Sequence, residues 1–428
     1  MPIMSISVCL GALILIVIGA PVLVAIGFSS IMVLCCFHPV PFISIPQLMF
    51  SGMESYTLVA IPLFVLAGVL MESCGVARNI IAFCKALVGW ARGGLGAVNV
   101  VSSFIFGGIS GSSVADTVSI GAIMIPEMID DGYDRNYSAG ITVISSTLAV
   151  VVPPSILMIV LGGVAEVSVS RLLIGGLVPG ALMAVTMMIQ NYYIARKHHY
   201  GSVAKFSLRS LWSTFRIGFF ALGAPLIIIL GIMTGIVTPT ESGALAVFYT
   251  LVVSKFCYHS LSWDVLRRAF VEGAKMTAAV VAIIASSSIF TFIMTFEGLP
   301  QIVAGALMKL STNPIVILLL IDVFLLFVGM LIDASVAIII LSPILYPVIL
   351  NLGIDPVYFG VLFVLNLAIG LVTPPFGVCL FSVCNVGDIS MEDLLKGSLS
   401  LYGSLFGTLL LVTLFPQIVL WLPQVLFG

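Results

Sequence analysis

Two aspartates stand in strongly apolar sequence: Asp116 and Asp333, each ten residues before a proline, Pro126 and Pro343. An ionisable group at membrane depth marks a functional site by default. Around the first are Ser110, Gly111, Ser112 and Ser113, with Thr117 after it; around the second are Gly329 to Ile332 and Ser335. Hydroxyl and carbonyl oxygens beside one carboxylate suit a hard cation without requiring a group that titrates. Two roles stay open for each aspartate. It supplies negative charge to a cation, ligating it or not, or it bonds to tip amides and hydroxyls and holds a turn together; both can hold at once. The second tip has fewer hydroxyls, so a cation there is expected to lean on backbone oxygens and Thr373.

The sequence around these residues occurs twice. Residues 126–154 read Pro126, five residues, Gly132-Tyr133-Asp134-Arg135-Asn136-Tyr137, fifteen residues, Pro153-Pro154; residues 347–375 read Pro347, five residues, Gly353-Ile354-Asp355-Pro356-Val357-Tyr358, fifteen residues, Pro374-Pro375. The offset is constant at 353 − 132 = 221, while the two aspartates are 333 − 116 = 217 apart, about one helical turn less. A membrane chain made of two copies of a unit with an interrupted helix is the signature of a secondary transporter. Non-helical backbone cannot face lipid, so the breaks locate a cavity. One set comprises Gly107 to Ser113 with Val151, Val152, Pro153, Pro154 and Ser155; the other comprises Gly329 to Asp333 with Val372, Thr373, Pro374, Pro375, Phe376 and Gly377. Carbonyls at helix C-terminal ends there would meet a cation, and amides at N-terminal ends a carboxylate. Ser112, Ser155, Thr373 and Gly377 are the expected substrate contacts.

Composition fixes the class. The 428 residues are 61% hydrophobic and 8% charged, against roughly 25% charged in a soluble domain. Apolar segments of about 20 residues recur along the chain, so it is an all-α polytopic membrane protein rather than a barrel of alternating strands. The net charge of −2 says nothing about partners, no nucleic-acid partner is expected, and the eight cysteines show no metal-ligand spacing and read as small core residues. Met1 to Cys9 lacks a basic region, so the first helix is expected to direct insertion.

The basic loop 196–216, with Arg196, Lys197, Lys205, Arg209 and Arg216, belongs in the cytoplasm. Threading from it puts 14 of the 16 Lys and Arg inside, leaving Arg171 and Lys309 outside. Both termini then face the periplasm, and the two hairpins open on opposite sides. The expected organisation is a first inverted repeat over 1–195: scaffold helices within 3–73, a surface arm 75–95, a hairpin 96–128, a broken helix 137–165 and a helix 173–195. After the loop, the second repeat over 217–428 has scaffold helices 217–296, arm 297–313, hairpin 314–350, broken helix 357–385 and helix 399–422.

Other charges read as structural. Glu72 and Glu297 end helices before the two arms, Glu166 and Asp322 are single acids in apolar context, and Asp134 and Asp355 look like first-turn acids. Thr240 is the expected N-cap of the turn Thr238 to Ser242. The four histidines lie at predicted helix ends or loops, which gives no nucleophile-base pair and argues against an enzyme.

Gly235-x-x-Thr238-Pro239-Thr240-Glu241, Ala60-Ile61-Pro62-Leu63-Phe64 with Ala67-Gly68, the tip Gly108-x-Ser110-Gly111-Ser112-Ser113-x-Ala115-Asp116 and the two Pro-Pro breaks resemble the large membrane subunit of TRAP (tripartite ATP-independent periplasmic) transporters. The resemblance covers essentially the whole chain. It implies the scaffold-plus-elevator fold of divalent-anion/sodium symporters, in the bacterial inner membrane, with a separate small four-helix membrane subunit and a periplasmic binding protein as partners. The implied substrate is a small organic acid and the coupling ion sodium, with no other metal or cofactor. Carried over, one sodium site lies at Ser110, Gly111, Ser112 and Ser113 with Val152 and Pro153, beside Asp116. The other lies at Gly329 to Asp333 with Val372, Thr373 and Pro375, beside Ser335. The alternative is a binding-protein-independent sodium/anion symporter of the same two-hairpin class; a channel would be excluded by counterflow.

Overall fold

The structure, a computed structural model, describes residues 3–201, 207–311 and 313–428, and every regular element among them is helical. Residues 202–206 of the basic loop, Lys205 included, lie outside the described residues. The first half runs α1 (Ile3–Val17), α2 (Val22–Phe37), α3 (Ser44–Met53), a 3-10 turn (Tyr56–Val59) leading into α4 (Ala60–Ser73), α5 (Val76–Val88), α6 (Gly94–Ser110), α7 (Ser113–Asp130), α8 (Arg135–Ser145), α9 (Leu148–Val151), α10 (Ile156–Val164) and α11 (Val169–His198). The second runs α12 (Leu208–Met233), α13 (Pro239–Phe256), α14 (Trp263–Phe296), α15 (Leu299–Leu310), α16 (Pro314–Leu331), α17 (Ala334–Asn351), α18 (Pro356–Gly370), α19 (Val378–Gly387), α20 (Met391–Ser398), α21 (Tyr402–Leu414) and α22 (Gln417–Phe427).

The repeated sequence acquires a physical meaning here. Gly132 and Gly353, at φ 87° and 71°, end α7 and α17 in left-handed conformations that glycine adopts without a Cβ penalty. In both places the next amide reaches back over the helix end: Tyr133 N–H to the Met128 carbonyl and Ile354 N–H to the Ile349 carbonyl, each at 3.0 Å. Asp134 then accepts from Asn136 and Tyr137, and Asp355 from Val357 and Tyr358. Both are therefore N-caps, one residue earlier than first-turn acids. Each copy thus encodes a helix stop, a cap, a new helix and a Pro-Pro break whose central peptide is cis.

The second arm of each hairpin packs on the broken helix of the other repeat as well as on its own. α7 lies against α8 and α19, and α17 against α18 and α10. That exchange joins each hairpin to the broken helices of both repeats. Outside it, α4 packs on α13 and α14, α14 on α2 and α3, and α12 on α5 and α13. At the junction of these outer helices, the carboxylate of Glu297 after α14 accepts the Met4 and Ser5 amides at 2.9 and 2.5 Å, capping α1.

Several sequence expectations shift. Among the described residues five single helices are long and apolar enough to cross a bilayer, or seven if each of two bent pairs counts as one span. α16 and α17, with 18 residues each, pass that length test, and the two-residue turn at Ile332–Asp333 makes them a hairpin. α3 and the amphipathic α20 add to the expected elements, α14 extends back to Trp263 through charged first turns that an apolar scan passes over, and the last helix is split by Pro416. Thr238, not Thr240, caps α13: its hydroxyl accepts the Glu241 amide at 3.3 Å while Glu241 accepts the Thr238 amide at 2.7 Å, a capping box. Three of the cysteines expected in the core, Cys9, Cys36 and Cys257, are exposed on the chain.

Candidate functional site

The first tip is two residues long. Gly111, at φ 61°, ends α6, and Ser112, extended, caps α7 by accepting the Ala115 amide at 3.4 Å. A Cβ on Gly111 would stand 2.9 Å from the Pro154 carbonyl oxygen and one on Gly108 3.1 Å from that of Pro153, so this tip lies directly on the first break. Helix α4 closes the other side, with Gly68 facing the Ser110 and Ile109 carbonyls at comparable range. Ser110, Ser113 and Asp116 are buried, as are Val152, Pro153 and Ser155.

The polar atoms around this tip divide into committed and open ones. Ser110 Oγ accepts the Ser112 amide at 3.4 Å. Ser155 donates to the Val150 carbonyl at 2.5 Å and accepts from Met158, so its hydroxyl also holds the break. By contrast, Ser113 Oγ and both carboxylate oxygens of Asp116 make no well-aligned hydrogen bond, although the Ser103 hydroxyl neighbours Asp116. Ser113 and Asp116 are three residues apart on α7 and share a face. Glu72 of α4 accepts from Ser119 one turn further along, at 2.6 Å.

The second tip differs. Asp333 is exposed and caps α17 by accepting the Ser335 amide at 2.8 Å, so it ties its turn. One turn before the tip, α16 crosses α18 with glycine on both sides: a Cβ on Gly329 would stand 3.2 Å from the Gly370 Cα, and one on Gly370 2.5 Å from the Gly329 carbonyl carbon. Beyond Gly370, Val372 and Thr373 are buried while Pro375 and Phe376 are exposed. Thr373 donates to the Ile369 carbonyl at 2.6 Å, the Gly377 amide donates to the Thr373 carbonyl at 3.3 Å, and Tyr402 of α21 donates to the Val372 carbonyl. The hydroxyl of Thr373 and the amide of Gly377 thus serve the break itself.

One residue read as core in the sequence lies close to the first hairpin. Cys379, fully buried on α19, lies beside the hydroxyls of Thr117 and Ser146 and within electrostatic reach of both Asp116 and Asp333. Nothing in its local sequence marks it. Only the exchange of arms between repeats brings it there.

Such an arrangement, two helical hairpins turned towards two broken helices inside an all-helical polytopic body, is that of a membrane transporter. The Alcanivorax borkumensis YdaH transporter, in a crystal structure, matches the fold with TM-score 0.56 and 16% identity, over 84% of this chain and 86% of that one. Residues 9–418 match the DctM component of the tripartite ATP-independent periplasmic transporters, and the chain belongs to that family. It is 39% identical over 382 residues to the sialic acid TRAP transporter large permease protein SiaM of Vibrio cholerae, covering 89% of this chain and 90% of that protein. It is 33% identical over 433 residues to the C4-dicarboxylate TRAP transporter large permease protein DctM of the same species, covering 96% of each.

Proposed function

We propose that the protein is the large membrane subunit of a sodium-coupled secondary transporter that imports a small organic acid delivered by a periplasmic binding protein. The observation that carries the sodium reading is the pair Ser113 and Asp116. Three oxygens of two side chains on one face of α7 are buried without aligned partners, and leaving such atoms unpaired costs roughly 1–3 kcal/mol each, more when charged. A monovalent cation beside them, with carbonyls of the adjoining tip and break as further ligands, removes that cost. At the second tip Asp333 is already engaged as a cap, so there a cation would rely on backbone oxygens near Gly329 and Val372 and on long-range attraction from the carboxylate.

The relatives named for sialic acid and for a C4-dicarboxylate support a small organic acid as the substrate. The partners implied by the family are a small four-helix membrane subunit and the binding protein, in the bacterial inner membrane with both termini periplasmic. The exchanged packing of hairpins and broken helices supports a block that moves as one unit against the helices around α4 and α14, an elevator motion. Uptake by proteoliposomes holding both membrane subunits tests the reading: accumulation is expected only with a binding protein and an inward sodium gradient. Uptake that ignores the binding protein would transfer the chain to the binding-protein-independent class.

A further inference from the structure

The second hairpin holds an acid that the tip does not use. Asp322 lies on α16 about two turns before Gly329 and is 4% exposed. Asn366 of α18 donates to its Oδ1 at 2.8 Å and, through the same amide nitrogen, to the Leu362 carbonyl at 2.9 Å. Thr413 Oγ1 of α21 stands 2.7 Å from Asp322 Oδ2 and 2.9 Å from the Leu409 carbonyl. A threonine hydroxyl has one proton and cannot donate fully to both, whereas the amide has two. A proton on Asp322 Oδ2 gives each contact its own donor: the acid donates to Thr413, Thr413 donates to Leu409, and Oδ1 accepts from Asn366, whose own Oδ1 is the atom of the group left open.

No cation competes for the acid. The ion pairs among the described residues join Lys85 to Glu127 and Lys396 to Glu392 and Asp393. Helices α16, α17, α18 and α21 contain no Lys, Arg or His. Their other titratable side chains are Tyr346, Tyr358 and Tyr402, which donate to the carbonyls of Pro356, Thr413 and Val372. The first repeat builds the same fastening without an acid. Asn99 of α6 donates to Thr142 of α8 at 2.7 Å and accepts from Ser145 at 3.0 Å. Ser145 and Asn366 are equivalent positions, since 366 − 145 = 221.

We infer that Asp322 is a proton-bearing, uncharged acid and a positioning residue, which fastens the first arm of the second hairpin to α18 and α21 as Asn99 fastens the first. Its protonation rests on the hydrogen-bond count alone; its effect on uptake rests on the transport reading above.

Infrared difference spectra of the reconstituted protein at neutral pH, wild type against Asp322→Asn, test the proton. The expected difference is the loss of a protonated carboxylic acid carbonyl band. Loss of a carboxylate band overturns the inference. Thr413→Val gives a second reading on a protein that keeps Asp322: the carbonyl band should move as the acid loses its acceptor, and an unmoved band overturns the assigned bond. In uptake, Asp322→Asn should stay within about twofold of wild type, whereas Asp322→Leu should lose about tenfold, because it leaves Asn366 and Thr413 without their partner. Uptake by the Asn variant as poor as that of the Leu variant would show that the ionised form is required. Uptake that does not depend on sodium in any variant, with the carbonyl band present, would overturn the transport reading and leave the protonation standing.

Discussion

Ser112 and Asp333 occupy the same position in the two repeats. Each caps the second arm of its hairpin, and 333 − 112 = 221, the offset of the Pro-Pro breaks. Asp116, whose distance from Asp333 is 217, is therefore not its counterpart; that position in the second repeat is Ala337. One acid closes an exposed tip, and the other is buried one turn deeper with its oxygens open.

The two aspartates should consequently respond differently to neutralisation. Asp333→Ala should lower stability by about 1 kcal/mol, an ordinary capping loss, and Asp333→Ser should recover most of it, because Ser112 caps the other tip. Asp116→Asn should leave the melting temperature unchanged or higher, since it removes a buried charge, while raising the sodium concentration for half-maximal uptake. A melting curve beside a sodium titration separates them. Unmoved sodium dependence in Asp116→Asn would assign that acid to structure alone.

The glycine crossing sets how closely the second hairpin approaches its break. In Gly370→Ala the new methyl meets Gly329 backbone, which has no rotamer with which to yield. The helices must separate, at roughly 1–3 kcal/mol. Gly407→Ala on α21 meets nothing within 4 Å and should be neutral in the same thermal assay. Equal behaviour of the two variants would show that the crossing is slack.

Much of the site could be read in the sequence because its elements are announced by residues that act locally. Gly132 and Gly353 stop helices through their own φ, Asp134 and Asp355 cap through their own carboxylates, and the paired prolines interrupt helices by lacking amide protons. What could not be read arises between distant segments. Cys379 reaches the first hairpin only because α19 packs on α7, the Val372 carbonyl is bonded by Tyr402 from another helix, and the paired acids are inequivalent because the 217 spacing follows proline positions, not caps. Short helices such as α3 escaped because ten residues show too few turns for periodicity to stand out.

Motion of the hairpin block can be tested at a contact the structure supplies. Val336 of α17 packs in an apolar cluster with Ile289, Phe290 and Ile293 of α14, whereas α13 is not among the main neighbours of α17. Cysteines at 336 and 290, in a chain whose native cysteines are replaced, should stop uptake when crosslinked and release it on reduction. Full uptake with the crosslink quantitatively formed would show that gating is local.

With about 2.3 kcal/mol per charge per 100 mV and about 1.4 kcal/mol per tenfold gradient, two sodium ions would support accumulation over several orders of magnitude. The most direct measurement is uptake into proteoliposomes containing both membrane subunits and supplied with the binding protein, with an imposed inside-negative potential, comparing sodium with choline at fixed pH. Sodium-dependent uptake that grows with the potential is the predicted result. Equal uptake in choline would show that sodium does not drive transport.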